Sequence, residues 1–149
     1  MAAGIIDECS ETISQTLMIQ KEGKIMKKVL RVIVLLPAIL FIGIGMRWLV
    51  DPQGAAAALG MPLLDGIGRS SQIGDVGGFF LVTGIMVVLG VITGKRAWFQ
   101  APALLLMMIA IFRILAWLLH DAALATSMIA VEVVLAVLFV FASARLTKD

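Results

Sequence analysis

Four stretches of this chain, at about 29–50, 75–93, 98–119 and 122–144, stay apolar for long enough to cross a bilayer as α-helices. At about 1.5 Å per residue, each covers the roughly 30 Å of a hydrocarbon core. Hydrocarbon offers the backbone no water, so its polar groups must pair within the segment, as a helix does. The expected fold class is therefore all-α: a membrane-embedded antiparallel four-helix bundle. Composition closes the soluble alternative. Of 149 residues 61% are hydrophobic and 15% charged, against about 45–50% and about 25% in average soluble domains. A domain of about this length leaves roughly a third of its unfolded surface exposed, and here the polar material to cover it is lacking. A disordered chain, a secreted disulfide scaffold and a nucleic-acid module are disfavoured for the same reason. The first partner is the lipid bilayer, and no nucleic-acid partner is expected.

Counting removes further chemistry. Cys9 is the single cysteine, so there is no internal disulfide and no Cys-x-x-Cys redox pair. His120 is the single histidine, which excludes a bis-histidine haem and a multi-histidine metal centre within the chain. No cofactor or metal is expected.

Residues 1–28 stand apart as a polar or weakly amphipathic N-terminal segment, cytoplasmic or interfacial. Asp7-Glu8-Cys9-Ser10-Glu11 is acidic, and Lys21, Lys24, Lys27 and Lys28 follow. Ile5, Ile6, Ile13, Leu17 and Ile19 suit a weak surface-lying helix, with a floppy tail as the alternative. Met26-Lys27-Lys28-Val29-Leu30-Arg31 also reads as a bacterial start, which would make the first 25 residues an upstream extension. Met26 to Gly45 resembles a signal peptide, yet the apolar run continues to Val50 and favours a retained helix. Pro37 is expected to kink it.

The transmembrane domain spans residues 29–146. Asp51-Pro52 ends the first span, and Gln53 to Gly74 is expected to form a short helical turn and then an irregular loop. Ser70 or Ser71 is a candidate cap for the second span, with Asp75 in its first turn. Gly94-Lys95-Arg96 closes that span, Trp98 anchors the third at the interface, and Pro102 is tolerated in its first turns. Gly77, Gly78, Gly84 and Gly90 permit close helix approach.

Four spans put both termini on one side. Lys21, Lys24, Lys27, Lys28, Arg31, Lys95, Arg96, Arg145 and Lys148 all fall there, and only Arg47 and Arg69 lie opposite. The positive-inside rule then places both termini in the cytoplasm of a multi-pass protein, with the bacterial inner membrane as its location.

Charged groups within a span cost about 2.5–3.5 kcal/mol near the centre. Arg113 and Glu132 are such groups. If His120-Asp121 makes a tight hairpin, Arg113 lies roughly 10 Å deep and Glu132 roughly 16 Å deep. An arginine side chain can bridge that difference, so an Arg113–Glu132 ion pair is expected. Arg113, Trp117 and His120 share a helix face at i, i+4 and i+7. Gln72 and Asp75 on the second span, with Thr83 deeper, and Arg47 on the first lie at matching depth. The expected site is an outward-opening polar pocket lined by Arg47, Gln72, Asp75, Arg113, Trp117, His120 and Glu132. Plainer readings stand beside it: Arg47 snorkels to the headgroups, Asp75 serves a helix dipole, His120 is a solvated loop residue, and the ion pair fixes helix register.

Asp51-Pro52-Gln53-Gly54-Ala55, Leu59-Gly60-Met61-Pro62-Leu63-Leu64 and Arg69-Ser70-Ser71-Gln72-Ile73-Gly74-Asp75, followed by Gly78-Phe79-Phe80, occur together with Arg113 and Glu132. This pattern resembles a bacterial family of small four-helix membrane proteins known as domain of unknown function 4345, loosely DoxX-like in layout. The resemblance covers about residues 29–146 and implies the fold, with no activity attached. Three functions are open on the sequence. The leading one is a non-catalytic accessory or assembly partner of a membrane complex, alongside other subunits or as a homo-oligomer. The next is a binder of a quinone or lipid-like molecule in the polar pocket. The last is a proton-coupled transporter or membrane enzyme using Glu132.

Overall fold

A computed structural model describes residues 2–147, and every regular element in them is helical. In chain order these are α1 (Ala2–Val50), α2 (Pro52–Ala58), α3 (Gly66–Ser71), a π-helical turn (Gln72–Gly77), α4 (Gly78–Thr93), α5 (Ala97–His120) and α6 (Thr126–Leu146). Four helical runs, Gln20–Val50, Gly66–Thr93, Ala97–His120 and Thr126–Leu146, are long and apolar enough to cross a membrane. They form an antiparallel bundle. Helix α1 packs chiefly on α4 and α5 chiefly on α6, with thinner α4–α5 and α1–α6 seams.

Each long helix buries one stripe and leaves the rest to lipid. On α1 the buried stripe is Leu30, Val34, Ala38, Phe41, Gly45 and Trp48, stepping by three and four residues. The π turn meets it at Gly77 and α4 meets it at Gly84, with Thr83 and Val87 of α4 also buried. Glycine is required at this seam. A Cβ on Gly45 would sit 2.7 Å from the Leu81 amide nitrogen, and one on Gly84 would sit 2.6 Å from the Ala38 carbonyl oxygen. The two backbones thus touch, as small residues allow between helices in lipid. Phe99, Ala103, Leu106 and Ala110 of α5 and Ala136, Phe139, Ala142 and Leu146 of α6 complete the main core. A second small core of Trp48, Ala55 and Ala56 lies where α2 folds back on the end of α1. Outward, Leu36, Leu104 and Val134 are each about two-thirds exposed (65%, 66% and 65%). Such a continuous apolar exterior suits hydrocarbon and not water.

Three expectations are corrected in detail. Residues 2–28 are neither a tail nor a separate surface helix but the start of α1, which continues unbroken through Lys28 and Pro37 to Val50. No proline precedes Pro37 and helix-favouring residues predominate, so nothing stops the helix earlier. The side chains of Ile5, Ile6, Ile13, Leu17 and Ile19, proposed to line its surface-lying face, lie outside the described residues. At about 1.5 Å per residue, α1 extends roughly 40 Å beyond the length a span needs. The second span begins with α3 at Gly66, so Ser71 is helical (φ −64°, ψ −43°) and caps nothing, and Asp75 lies in the π turn. The chain reverses earlier than expected, in residues 59–65 around Pro62. Finally, α5 ends with Asp121 in the left-handed region (φ 52°), and α6 starts only at Thr126.

Candidate functional site

The in-span arginine and glutamate meet. Nε of Arg113 donates to Oε1 of Glu132 at 2.8 Å. The late start of α6 explains how: counted from the facing helix ends, Arg113 lies about 10 Å down α5 and Glu132 about 9 Å down α6. The two are level, and the offset expected from a tight hairpin is absent. Helix periodicity sets the faces. Phe99, Ala103, Leu106 and Ala110 form the core stripe of α5, and the same stripe continues through Arg113, Trp117 and His120. On α6, the stripe of Leu146, Ser143, Phe139 and Ala136 continues to Glu132. The ion pair therefore sits where both stripes emerge from the core. No residue from 111 to 135 is buried.

The pair is asymmetric. The Glu132 side chain is 12% exposed and that of Arg113 is 36% exposed. Glu132 Oε2 is buried and has no partner among the described residues. Arg113 uses only Nε for the pair. Its two terminal nitrogens make no hydrogen bond among the described residues and are not among the buried unpartnered atoms, so they reach the surface. A guanidinium carries its donors in a fixed fork. With Nε held by Glu132, the outer N–H groups of the two terminal nitrogens point away from that edge and are left for another acceptor.

The other five expected residues do not join this pair. Arg47 donates to Asp51, with Nη2–Oδ2 at 3.1 Å and Nε–Oδ2 at 3.3 Å. Asp51 also accepts from the Gly54 amide at 2.9 Å, so one carboxylate ends α1 and caps α2. The Gly54 amide and then Arg47 hold the Asp51 carboxyl below the usual carboxylate range. Gln72 is buried and clasps the preceding loop. It accepts from the Leu64 amide at 2.8 Å and donates to the Pro62 carbonyl at 3.0 Å and the Met61 sulfur at 3.3 Å. Asp75 is exposed in the π turn, and Trp117 and His120 are exposed on the last turns of α5. Partners nearby in the chain, four residues from Arg47 and eight to eleven from Gln72, take these two side chains, an outcome that depth along a helix does not reveal.

Two surface grooves lie along α5, and both are apolar. One, of about 420 Å³, runs along Leu105, Met108, Ile109, Phe112 and Ala116 past the stem of Arg113. The other, of about 440 Å³, lies between α5 and α6 and includes Gln100, Ala103, Met107 and Ala136. Of the seven expected residues only Arg113 lines either groove.

Sequence reasoning passed over two features. Trp48 is fully buried, and its indole Nε1 has no partner among the described residues. Its place at the end of the Leu30–Val34–Ala38–Phe41–Gly45 stripe was a usable signal. The α5–α6 groove was marked only by facing alanines, a much weaker one. Comparison of the chain with family models, curated proteins and solved structures gives no match.

Proposed function

We propose that this is a non-catalytic membrane protein that recognises the polar head of a membrane-soluble amphiphile, a quinone or lipid-like molecule, at Arg113. The carrying observation is the single Nε–Oε1 bond of 2.8 Å, which fixes the guanidinium and leaves its terminal donors at the surface. Unsatisfied donors at membrane depth are costly, and a carbonyl or acidic head supplies the missing acceptor. Glu132 acts as the positioning residue. Purification in mild detergent followed by native mass spectrometry tests this reading: a small-molecule adduct on the wild type should be lost in Arg113→Gln. An adduct that survives this substitution, or none on the wild type, sinks it.

A second reading, an accessory or assembly subunit of a membrane complex, is favoured by a different observation. The core stripes of α5 and α6 continue uncovered through residues 111–135, which suits a partner helix from another subunit or a second copy. Cross-linking from Leu118 in native membranes should then capture one discrete partner; a monomer alone would argue against it. In either case we place the protein in a bacterial inner membrane with both termini cytoplasmic, on the strength of the basic residues gathered at one end. Reporter fusions at the two termini check that orientation. Membership of the domain-of-unknown-function 4345 family stays part of this proposal and rests on the sequence pattern alone.

A further inference from the structure

Resting on the reading of Arg113 above, we propose that the head it holds is the uncharged ring carbonyl of a quinone, whose tail runs inward along α5 toward the middle of the bilayer. The tail's path is the groove of about 420 Å³ formed by Leu105, Met108, Ile109, Phe112, Arg113 and Ala116. These are positions i, i+3, i+4, i+7, i+8 and i+11, one continuous strip of the helix. Arg113 itself lines the groove, so the charged side chain and the apolar channel belong to one site. Leu105, Met108, Ile109 and Phe112 lie inward of Arg113, and the strip reaches Leu105 about 12 Å deeper, near the middle of α5. Ala116, one turn outward, is the small residue of the strip and leaves room beside Arg113 for a head group.

Depth and charge select the occupant. Arg113 lies about 10 Å in from the His120 end of α5, beneath the level of phospholipid phosphates. An untethered arginine can stretch up to them. Here Glu132, level with it on α6, holds Nε at 2.8 Å, so the head has to come down into the hydrocarbon. Arg113 and Glu132 together are neutral, and no other ionisable group among the described residues lines the groove. An anionic head would bring net charge to that depth, where charge is costly. A carbonyl accepts from the terminal N–H groups and brings none. Phe112, 64% exposed on the wall of the same groove, offers an aromatic face to a flat ring. A helix of a second copy suits the site less, because its carbonyls are already bonded within the helix.

The test is photolabelling of the full chain in phosphatidylethanolamine vesicles with a benzoquinone whose decyl tail ends in a diazirine. Mapped by peptide mass spectrometry, the label should fall on Leu105 or Met108. Excess unlabelled decyl benzoquinone should remove most of it, whereas the same excess of palmitate or phosphatidylglycerol should leave it unchanged. Arg113→Gln should abolish the saturable labelling, and Leu104→Trp, on the other groove, should keep it. Labelling that needs Arg113 but yields equally to palmitate would overturn the quinone and leave an amphiphile at Arg113 standing. Label placed beyond Ala116 or in the α5–α6 groove would overturn the orientation and with it the proposal. Absence of saturable labelling, while the Arg113-dependent adduct persists, would overturn this inference alone; absence of that adduct as well would overturn both. A chain that stays dimeric and takes no label would assign the groove to a second copy instead.

Discussion

Glu132 accepts the Nε–H of Arg113 at 2.8 Å from the adjoining helix, and the pair is the only ion pair among the described residues that joins two of the long helices. The other two, Arg47–Asp51 and Arg69–Asp65, are exposed contacts at i, i+4. Burial makes the difference. Removing one member of a largely buried pair strands the other, at about 3–5 kcal/mol, whereas replacing both with apolar residues is often close to neutral. Arg113→Leu should therefore destabilise the detergent-solubilised protein by about 3 kcal/mol, and Arg113→Leu/Glu132→Leu should recover most of that loss. Thermal melts of both variants decide it. If the double variant is as unstable as the single one, the pair contributes more than mutual neutralisation.

The α1–α4 seam gives a sharper mutational contrast. Gly84→Val should cost about 1–3 kcal/mol, because even its Cβ meets backbone, 2.6 Å from the Ala38 oxygen. A Cβ at Gly43, on the facing helix α1, would meet nothing within 4 Å. Gly43→Ala should stabilise by roughly 0.5–1 kcal/mol through helix propensity alone. Opposite signs for two glycines on neighbouring helices, read from melting temperatures, would confirm contact between the backbones; equal signs would refute it.

Much of this fold was legible because hydrocarbon restricts the choices so severely. Apolar length located all four membrane-crossing helices, and the cost of an in-span charge pointed to Arg113 and Glu132 as partners. Boundaries fared worse where local polar contacts decide them. The second span starts at Gly66 because residues 59–65 turn the chain and Gln72 fastens that turn, an interaction across eight to eleven residues. The predicted pocket combined residues at one depth without knowing their neighbours. Asp51, four residues from Arg47, and the Leu64 amide, eight from Gln72, were equally near those depths. Depth places a side chain along a helix; competition among nearby partners decides where it points.

The corner between α1 and α2 should respond to acid. Asp51 is held below its ordinary value of 3.8, first by the Gly54 amide and then by Arg47. A depressed carboxylate contributes stability that is fully present above the unfolded value and is lost as pH falls through the folded one. The corner should therefore be unaffected above pH 3.8 and loosen below it. Trp48 packs against Ala55 and Ala56 and can report this as a fluorescence change once Trp98 and Trp117 are replaced by Phe. In Asp51→Asn the signal should lose its pH dependence in that window. An unchanged acid transition in this variant would assign it to another carboxylate.

Gln72 is the remaining test of how the outer connection is held. Its side chain pairs the Leu64 amide and the Pro62 carbonyl, two backbone groups in a stretch without regular structure. Gln72→Leu keeps the apolar volume and removes both bonds. Leaving such groups without partners costs about 1–3 kcal/mol each where water cannot replace the bond. Met61 and Leu63 pack on the small core around Trp48, so loosening the loop also uncovers that core. Hydrogen–deuterium exchange should rise at Leu63 and Leu64 by at least about tenfold, the equivalent of about 1.4 kcal/mol. Exchange within α5 and α6 should stay at its wild-type level, because the α5–α6 hairpin makes no contribution to that small core. Faster exchange across both hairpins would mean that Gln72 supports the whole bundle and not this loop alone.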